Sequence, residues 1–411
     1  MAERLIFHVD VNSAFLSWEA TRRCQNGEAD LRLIPSAIGG DREARRGVIL
    51  AKSIPAKQFG VRTGEPIAQA LKKCPQLYLA SPDFHLYHTS SRAFIEVCRK
   101  YAPVVEQVSI DECYLDMSGT SRLYPDPLEI AHRIKDEIRN TLGFTVNVGI
   151  GSNKLLAKMA SDFEKPDRVH TLFTHEIEAK LWPLPVKDLF TVGRATAEKL
   201  MASRIHTIGE LAATGIDRLR AMFGTKMGDH LLRFANGVDE SPVLAETEEA
   251  KGYSNSTTLA TDVVSTEQAH RVLLALADSV TSRMRNDHCR ASCVAVTIRG
   301  NDFHDRSHQK TLPAPTDITS EIFETVKKLF AELWDRRTPL RLLGLSLTQL
   351  TREDNTQLSM FPDEKKEREK ELDKIIDGIR RRFGTDTIVR GSIMEYSRDV
   401  GKKQKAEMDD E

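Results

Sequence analysis

The segment Val104–Met117 reads VVEQVSIDECYLDM. Val104, Val105, Val108 and Ile110 are β-branched and favour a strand, Asp111-Glu112 interrupts the run, and Tyr114-Leu115 resumes it. Two adjacent carboxylates between two apolar half-strands predict a hairpin whose turn presents Asp111 and Glu112. Unpaired carboxylates at a sheet rim repel and are costly to desolvate, and a divalent cation removes both costs. A solvated acidic turn has the same pattern. The N-terminal run LIFHVDVNSAF adds a second constraint: Leu5 to Val9 is a short apolar strand, Asp10 ends it, and a helix is expected from about Ser13. An aspartate ending a first strand, with a later Asp-Glu on a hairpin, is the layout of a two-metal site. There, hard oxygen ligands hold two Mg²⁺ ions roughly 3.5–4 Å apart. Asp10, Asp111 and Glu112 are therefore the candidate catalytic residues.

With 411 residues the chain has room for two to four domains, and its 40% hydrophobic content suffices for their cores. A net charge of −1 does not advertise a nucleic-acid binder, but phosphate contacts depend on local charge, which balanced totals conceal. The six cysteines are scattered with no CxxC pair, which argues against a zinc site or a disulfide framework. Cys289 and Cys293 are expected as ordinary buried or half-buried thiols. No signal peptide or membrane span is apparent, so a cytoplasmic protein without a membrane partner is expected.

Ile34–Ile38 and Gly47–Ala51 predict two short strands. Gly39-Gly40-Asp41 between them has a passing likeness to a nucleotide-cyclase signature, but Arg42-Glu43 follows without an aromatic, so the segment reads as a turn. Helical spacing covers His85–Tyr101 and Leu128–Leu142, and Phe144–Ile150 reads as a strand. Ser152-Asn153 can cap the helix that follows, on which Lys158 is expected at the helix surface or near DNA. LFTVGRATAEKLMASRIHTIGELA has the form of a helix-hairpin-helix with its turn at Val192-Gly193-Arg194. Such a turn offers backbone N–H groups to a DNA phosphate without reading sequence, although a plain αα-hairpin has the same form. ETEEAKGYSNS reads as a polar linker. Beyond it the order β-α-β-β-α-β is expected, with Ser292–Arg299 as a central strand. Arg299, Arg306, His308 and Lys310 are each alone ordinary surface charges; together, on adjacent strands, they are candidates to track phosphates. EKKEREKELDKIIDGIRRRFG predicts a helix with a largely solvated face, and the last residues read as disordered.

HVDVNSAF, SIDE at Ser109–Glu112 and AKQFGVRTGEP at Ala56–Pro66 resemble the Y-family DNA polymerases, in particular the bacterial branch that performs translesion synthesis. Several ordered motifs at compatible spacing carry this likeness, which runs from about Leu5 to Leu350. It implies an α+β multidomain chain, a right-hand polymerase with a ferredoxin-like palm, small fingers, a helical thumb and a β-α-β-β-α-β little finger. The implied map is palm 1–33 and 79–170, fingers 34–78, thumb 171–245, linker 246–256, little finger 257–351 and a tail 352–411. It further implies two Mg²⁺ ions, with Asp10 and Asp111 bridging both, Glu112 on the ion that activates the primer hydroxyl, and the Val11 carbonyl as an added ligand. Phe15 falls at the steric gate against a 2′-hydroxyl. Asn12, where many relatives carry an acid, is left out of the metal site.

Two triphosphate contacts of the family, a tyrosine and an arginine, are replaced here by Ile54 and Lys57. Binding should then lean on Lys57 and Lys165, with Lys52 as a substitute; lysine keeps the charge but loses the bidentate fork of arginine. Gln357, Leu358, Met360 and Phe361 (QLSMF) resemble the peptide that docks into the bacterial β sliding clamp. The expected partners are primer-template DNA, deoxynucleoside triphosphates and that clamp, for a monomer making DNA without proofreading. The alternative is a clamp-tethered DNA-binding protein with weak or no polymerase activity. A cyclase would have no thumb and a completed signature, and this chain fits neither.

Overall fold

The computed structural model describes residues 4–40, 47–245, 249–352, 364–385 and 387–393. It divides into two compact units, the first drawn from residues 1–247 and the second mainly from residues 248–411.

In the first unit, β1 (Ile6–Val11) is buried along its whole length. A strand alternates its side chains, so β1 serves two cores at once. Phe7, Val9 and Val11 join one cluster with α1 (Ala14–Gln25), α4 (Phe84–Arg99) and α5 (Pro127–Leu142), while Ile6 joins another with Ala157 and Val243. β1 pairs antiparallel with β6 (Glu112–Asp116) on one side and β7 (Val146–Gly151) on the other. With β5 (Val104–Gln107) and β8 (Val169–Leu172) at the edges, the sheet order is β5-β6-β1-β7-β8.

α6 (Lys154–Ser161), capped by Asn153, covers the other face of this sheet. Two glycines of β7 allow its close approach. A Cβ at Gly149 would stand 2.0 Å from the Ala157 carbonyl oxygen, and one at Gly151 would stand 2.7 Å from the Ala157 nitrogen. Both obstacles are backbone, so no rotamer change relieves them.

The small three-stranded sheet has the order β3-β2-β4, from β2 (Ser36–Gly39), β3 (Ile49–Lys52) and β4 (Tyr78–Ala80). α2 (Ile54–Gln58) and α3 (Ile67–Lys73) lie between the last two strands in sequence. Asp41, from the glycine turn, lies outside the described residues. Four helices follow the palm-like sheet: α7 (Arg194–Ala202), α8 (Ile208–Ala212), α9 (Ile216–Phe223) and α10 (Thr225–Ala235). They close around Leu200, Ile208, Leu211, Leu219 and Leu231, all fully buried.

The second unit follows the expected order: β9 (Gly252–Val263), α11 (Thr266–Asn286), β10 (Cys289–Gly300), β11 (Asp305–Thr316), α12 (Thr319–Leu333) and β12 (Leu340–Arg352). All pairings are antiparallel and the order is β11-β10-β12-β9, which makes β10 a central strand. Cys289 and Cys293 are buried free thiols.

Two boundaries differ from expectation. Residues 252–256, expected as linker, begin β9: the strand lies at a sheet edge, and of these five residues only Tyr253 is buried, so its composition reads as polar. α13 (Glu364–Phe383), expected as part of a tail, carries the solvated face foreseen but docks through buried charge. Arg285 Nε lies 2.6 Å from Asp377, and Asp278 takes Arg380 at 2.7 Å and Arg390 at 3.0 Å. Ile393 then enters the core of this unit.

Candidate active site

Register decides which carboxylates meet. Asp10 of β1 stands opposite Glu112 of β6, and His8 opposite Tyr114, so Asp10 and Glu112 share the face that α6 covers. Asp111 lies in the turn before β6, where its carbonyl accepts from the Val11 N–H at 3.0 Å. The three predicted acids and Val11 therefore gather at one rim of the sheet.

Between Asp10 and Glu112 stands an ammonium group. Lys158 Nζ is 2.5 Å from Glu112 Oε1 and 3.5 Å from Asp10 Oδ2. Lys158 was expected on the helix surface or near DNA; instead it is buried, because α6 packs tightly over Gly149 and Gly151 and turns it into the site. Lys165 Nζ adds a second cation 2.8 Å from Asp10 Oδ2.

Burial pushes the Asp10 carboxyl up to about 6, against the pull of Lys165 and Lys158. Burial also works against the Glu112 carboxylate, but His8 and Lys158 outweigh it and hold that carboxyl well below its ordinary range. Burial lowers the His8 imidazole, whose Nδ1 lies 2.8 Å from Ser161 Oγ.

Asp111 accepts from the Ser109 hydroxyl at 2.7 Å. Among the described residues, no three acidic, cysteine or histidine side chains converge tightly enough to hold an ion as they stand. The donor set nevertheless suits a hard divalent cation: carboxylate oxygens with no thiol or imidazole donor required, at a place that already draws two ammonium groups. Lys158 lies between two of these carboxylates and the Ser109 hydroxyl donates to the third. The Asn12 side chain is engaged elsewhere: it holds Asn147, Thr145 and the Asp167 backbone, which fixes the loop after Lys165.

A cavity of about 230 Å³ opens beside the rim, lined by Asp10, Val11, Phe15, Lys52, Thr63 and Asp111, among others. Phe15 stacks on the Tyr87 ring with centroids 4.5 Å apart, which fixes the wall it presents. Lys52 reaches the cavity and donates to Thr63 Oγ1 at 3.2 Å. Burial and the nearby Lys57 charge lower its pKa. Lys57 does not line this cavity, and Ile54 is half exposed.

The remaining candidates are dispersed. Gly193 is the N-cap of α7, nothing lies within 4 Å of a Cβ placed on it, and Arg194 points outward with a 91% exposed side chain. Val192 is buried beneath them. Arg299 and Arg306 do not form one surface. Arg306 pairs opposite Ile298 on the helix-covered face and reaches Asp335 at 3.5 Å. Arg299, opposite Asp305, lies on the open face and is bonded to Asp305. His308, near Glu332, follows Arg306, and so does Lys310, opposite Val294. Gln357, Leu358, Met360 and Phe361 lie outside the described residues.

A sheet rim of carboxylates beside a cavity, followed by a helical hairpin region and a separate β-α-β-β-α-β unit, defines the right-hand polymerase class. The match extends through sequence. Residues 9–162 match the impB/mucB/samB family, residues 250–360 its C-terminal domain, and residues 187–239 the thumb domain described for DNA polymerase-iota. The chain belongs to the impB/mucB/samB family of Y-family, DNA-directed DNA polymerases.

It is 43% identical to DNA polymerase IV of Clostridium acetobutylicum, over 95% of this chain and 98% of that one. It is 35% identical to DNA polymerase IV 1 of Bacillus subtilis, over 95% and 94% respectively. A solved Y-family DNA polymerase chimera of Dbh and Dpo4 shares the fold, with a TM-score of 0.74 at 21% identity, covering 85% of this chain and all of that one. No helix among the described residues is long and apolar enough to cross a membrane.

Proposed function

We propose that this chain extends primer-template DNA in translesion synthesis, by two-metal nucleotidyl transfer without proofreading. The observation that carries the reading is the register: Asp10 faces Glu112 while Val11 is bonded to Asp111, at the edge of a cavity that Phe15 walls. Two Mg²⁺ ions held by Asp10, Asp111, Glu112 and the Val11 carbonyl would supply activation of the primer 3′-hydroxyl and neutralisation of the triphosphate. The hydroxyl attacks the α-phosphorus of the incoming nucleotide and pyrophosphate leaves. Lys165 and Lys52 take triphosphate oxygens, with Lys57 lending charge from behind. Phe15, braced by Tyr87, occupies the space a 2′-hydroxyl would need.

The palm comprises the five-stranded sheet with its helices, the fingers the three-stranded sheet, the thumb α7–α10 and the little finger β9–β12. The N-terminal turn of α7 at Gly193-Arg194 and the open sheet face bearing Arg299 contact the DNA backbone, and Gln357–Phe361 dock into the β sliding clamp on sequence grounds. Primer extension with Mg²⁺ tests the reading. Losing a group that merely supports a metal ligand typically costs 10–100-fold, so Asp111→Ala should lose more than about a hundredfold while staying folded. Activity retained by that variant would remove the metal assignment.

A further inference from the structure

We propose that the second unit carries a separate anion site, in the cleft between α11 and α13, which takes an oligophosphate: two or more linked phosphate groups, free or as the tail of a nucleotide. A cavity of about 310 Å³ opens there, between the C-terminal end of α11, the first residues of β10 and one face of α13. It shares no residue with the carboxylate site. α13 turns Lys370, Lys374, Gly378 and Arg381 toward it, the i, i+4, i+8, i+11 stripe of a helix.

The lining holds five lysines and arginines against two carboxylates, Asp317 and Asp377. Each carboxylate already faces an arginine: Asp377 lies 2.6 Å from Arg285 Nε, and Asp317 lies 3.9 Å from Arg290 Nε. Arg381 donates to the neutral amide of Asn286 at 3.1 Å. Lys370 and Lys374 have no carboxylate partner among the described residues, whereas Lys366 and Arg380 of the same helix are paired with Glu321 and Asp278. Lys370, Lys374 and Arg381 thus bring positive charge without a carboxylate partner to the cavity lining.

Gly378 supplies an independent observation. Glycine disfavours a helix, yet it stands within α13 where packing does not ask for it, since a Cβ there meets nothing within 4 Å. Its effect is to leave that part of the lining without a side chain. The shape then selects the anion. From Lys370 to Arg381 the stripe runs about 16 Å along the axis, more than one phosphate can span. Arginine forks and lysine point charges both suit phosphoryl oxygens.

The test is isothermal titration of the full chain in EDTA, so that no metal holds a triphosphate at the carboxylates. Sodium tripolyphosphate should bind more tightly than pyrophosphate, and pyrophosphate more tightly than orthophosphate. Lys374→Glu and Arg381→Glu should each weaken tripolyphosphate by about tenfold or more, and Gly378→Leu, which puts a side chain on the lining without changing charge, should do the same. Arg368→Glu makes the same charge change outside the cavity lining and should change affinity less than about twofold. Circular dichroism checks that each variant is folded. Affinity for dATP equal to that for tripolyphosphate identifies the phosphate chain as the whole ligand, and a tighter dATP complex identifies a nucleotide. The proposal is overturned if no saturable binding is seen, if Arg368→Glu weakens binding as much as the cavity variants, or if orthophosphate alone binds as well as the longer chains.

Discussion

Lys158→Met asks whether the ammonium between Asp10 and Glu112 holds the place of a metal. The variant keeps most of the apolar stem and removes the charge that stands 2.5 Å from Glu112 Oε1. Stranding one member of a buried ion pair costs about 3–5 kcal/mol. Two features reduce that here: the Glu112 side chain is 26% exposed, and Asp10 keeps Lys165 at 2.8 Å. A loss of about 2–3 kcal/mol is therefore expected in EDTA, or roughly 5–10 °C in melting temperature for a unit of this size. A divalent cation should then do what the lysine did. Binding at about tenfold excess over Kd returns about 1.4 kcal/mol, near half the deficit. The wild-type chain must first move its ammonium aside and should gain less. Differential scanning calorimetry of both proteins, with EDTA and with Mg²⁺, reads all four values. An identical deficit in the two conditions would show that the ion does not settle between these carboxylates.

The other expectations address the wall, the proton and the packing. On the proposed role of Phe15 as a steric clash with a 2′-hydroxyl, Phe15→Ala should admit ribonucleotides at least about a hundredfold more readily in single-nucleotide insertion; undiminished exclusion would overturn that role. Asp10 titrates at about 6, and a protonated carboxyl cannot ligate, so Mg²⁺ affinity should be level above that pH and fall below it. The slope approaches about tenfold per pH unit for one competing proton, and a flat titration from pH 5 to pH 7 would contradict the burial of Asp10. Gly149→Ala should cost about 3 kcal/mol or more in denaturant unfolding, because the new methyl would meet the α6 backbone; a cost below about 1 kcal/mol would mean that α6 is not seated as described.

The contrast between what was legible in the sequence and what was not follows from one physical distinction. Period is local and register is not. Alternation in LIFHVDV and in SCVAVTIR marks strands because neighbouring side chains must take opposite faces. The acidic pair of the hairpin and the aspartate near the end of β1 were visible for the same reason. Which strand partners which, and at what offset, is fixed by packing between segments more than a hundred residues apart. Only that offset puts Asp10 opposite Glu112, whereas the register of a single hairpin, Arg299 opposite Asp305, puts Arg299 and Arg306 on opposite faces.

Lys158 was misplaced because its environment is set by two glycines of the neighbouring strand, whose role appears only when α6 lies on them. α13 shows the matching limit for helices. A run of mixed charge at helical spacing reads as a solvated face, because exposed ion pairs and buried ones obey the same i, i+4 geometry. What separates them is the partner's location. Asp373, Asp377 and Arg380 are buried because Arg285 and Asp278 of α11 supply opposite charge from a distant segment. If such distant pairing fixes the helix, Arg285→Met should loosen α13 while leaving the α11–β10 core intact, and hydrogen exchange should quicken in α13 first.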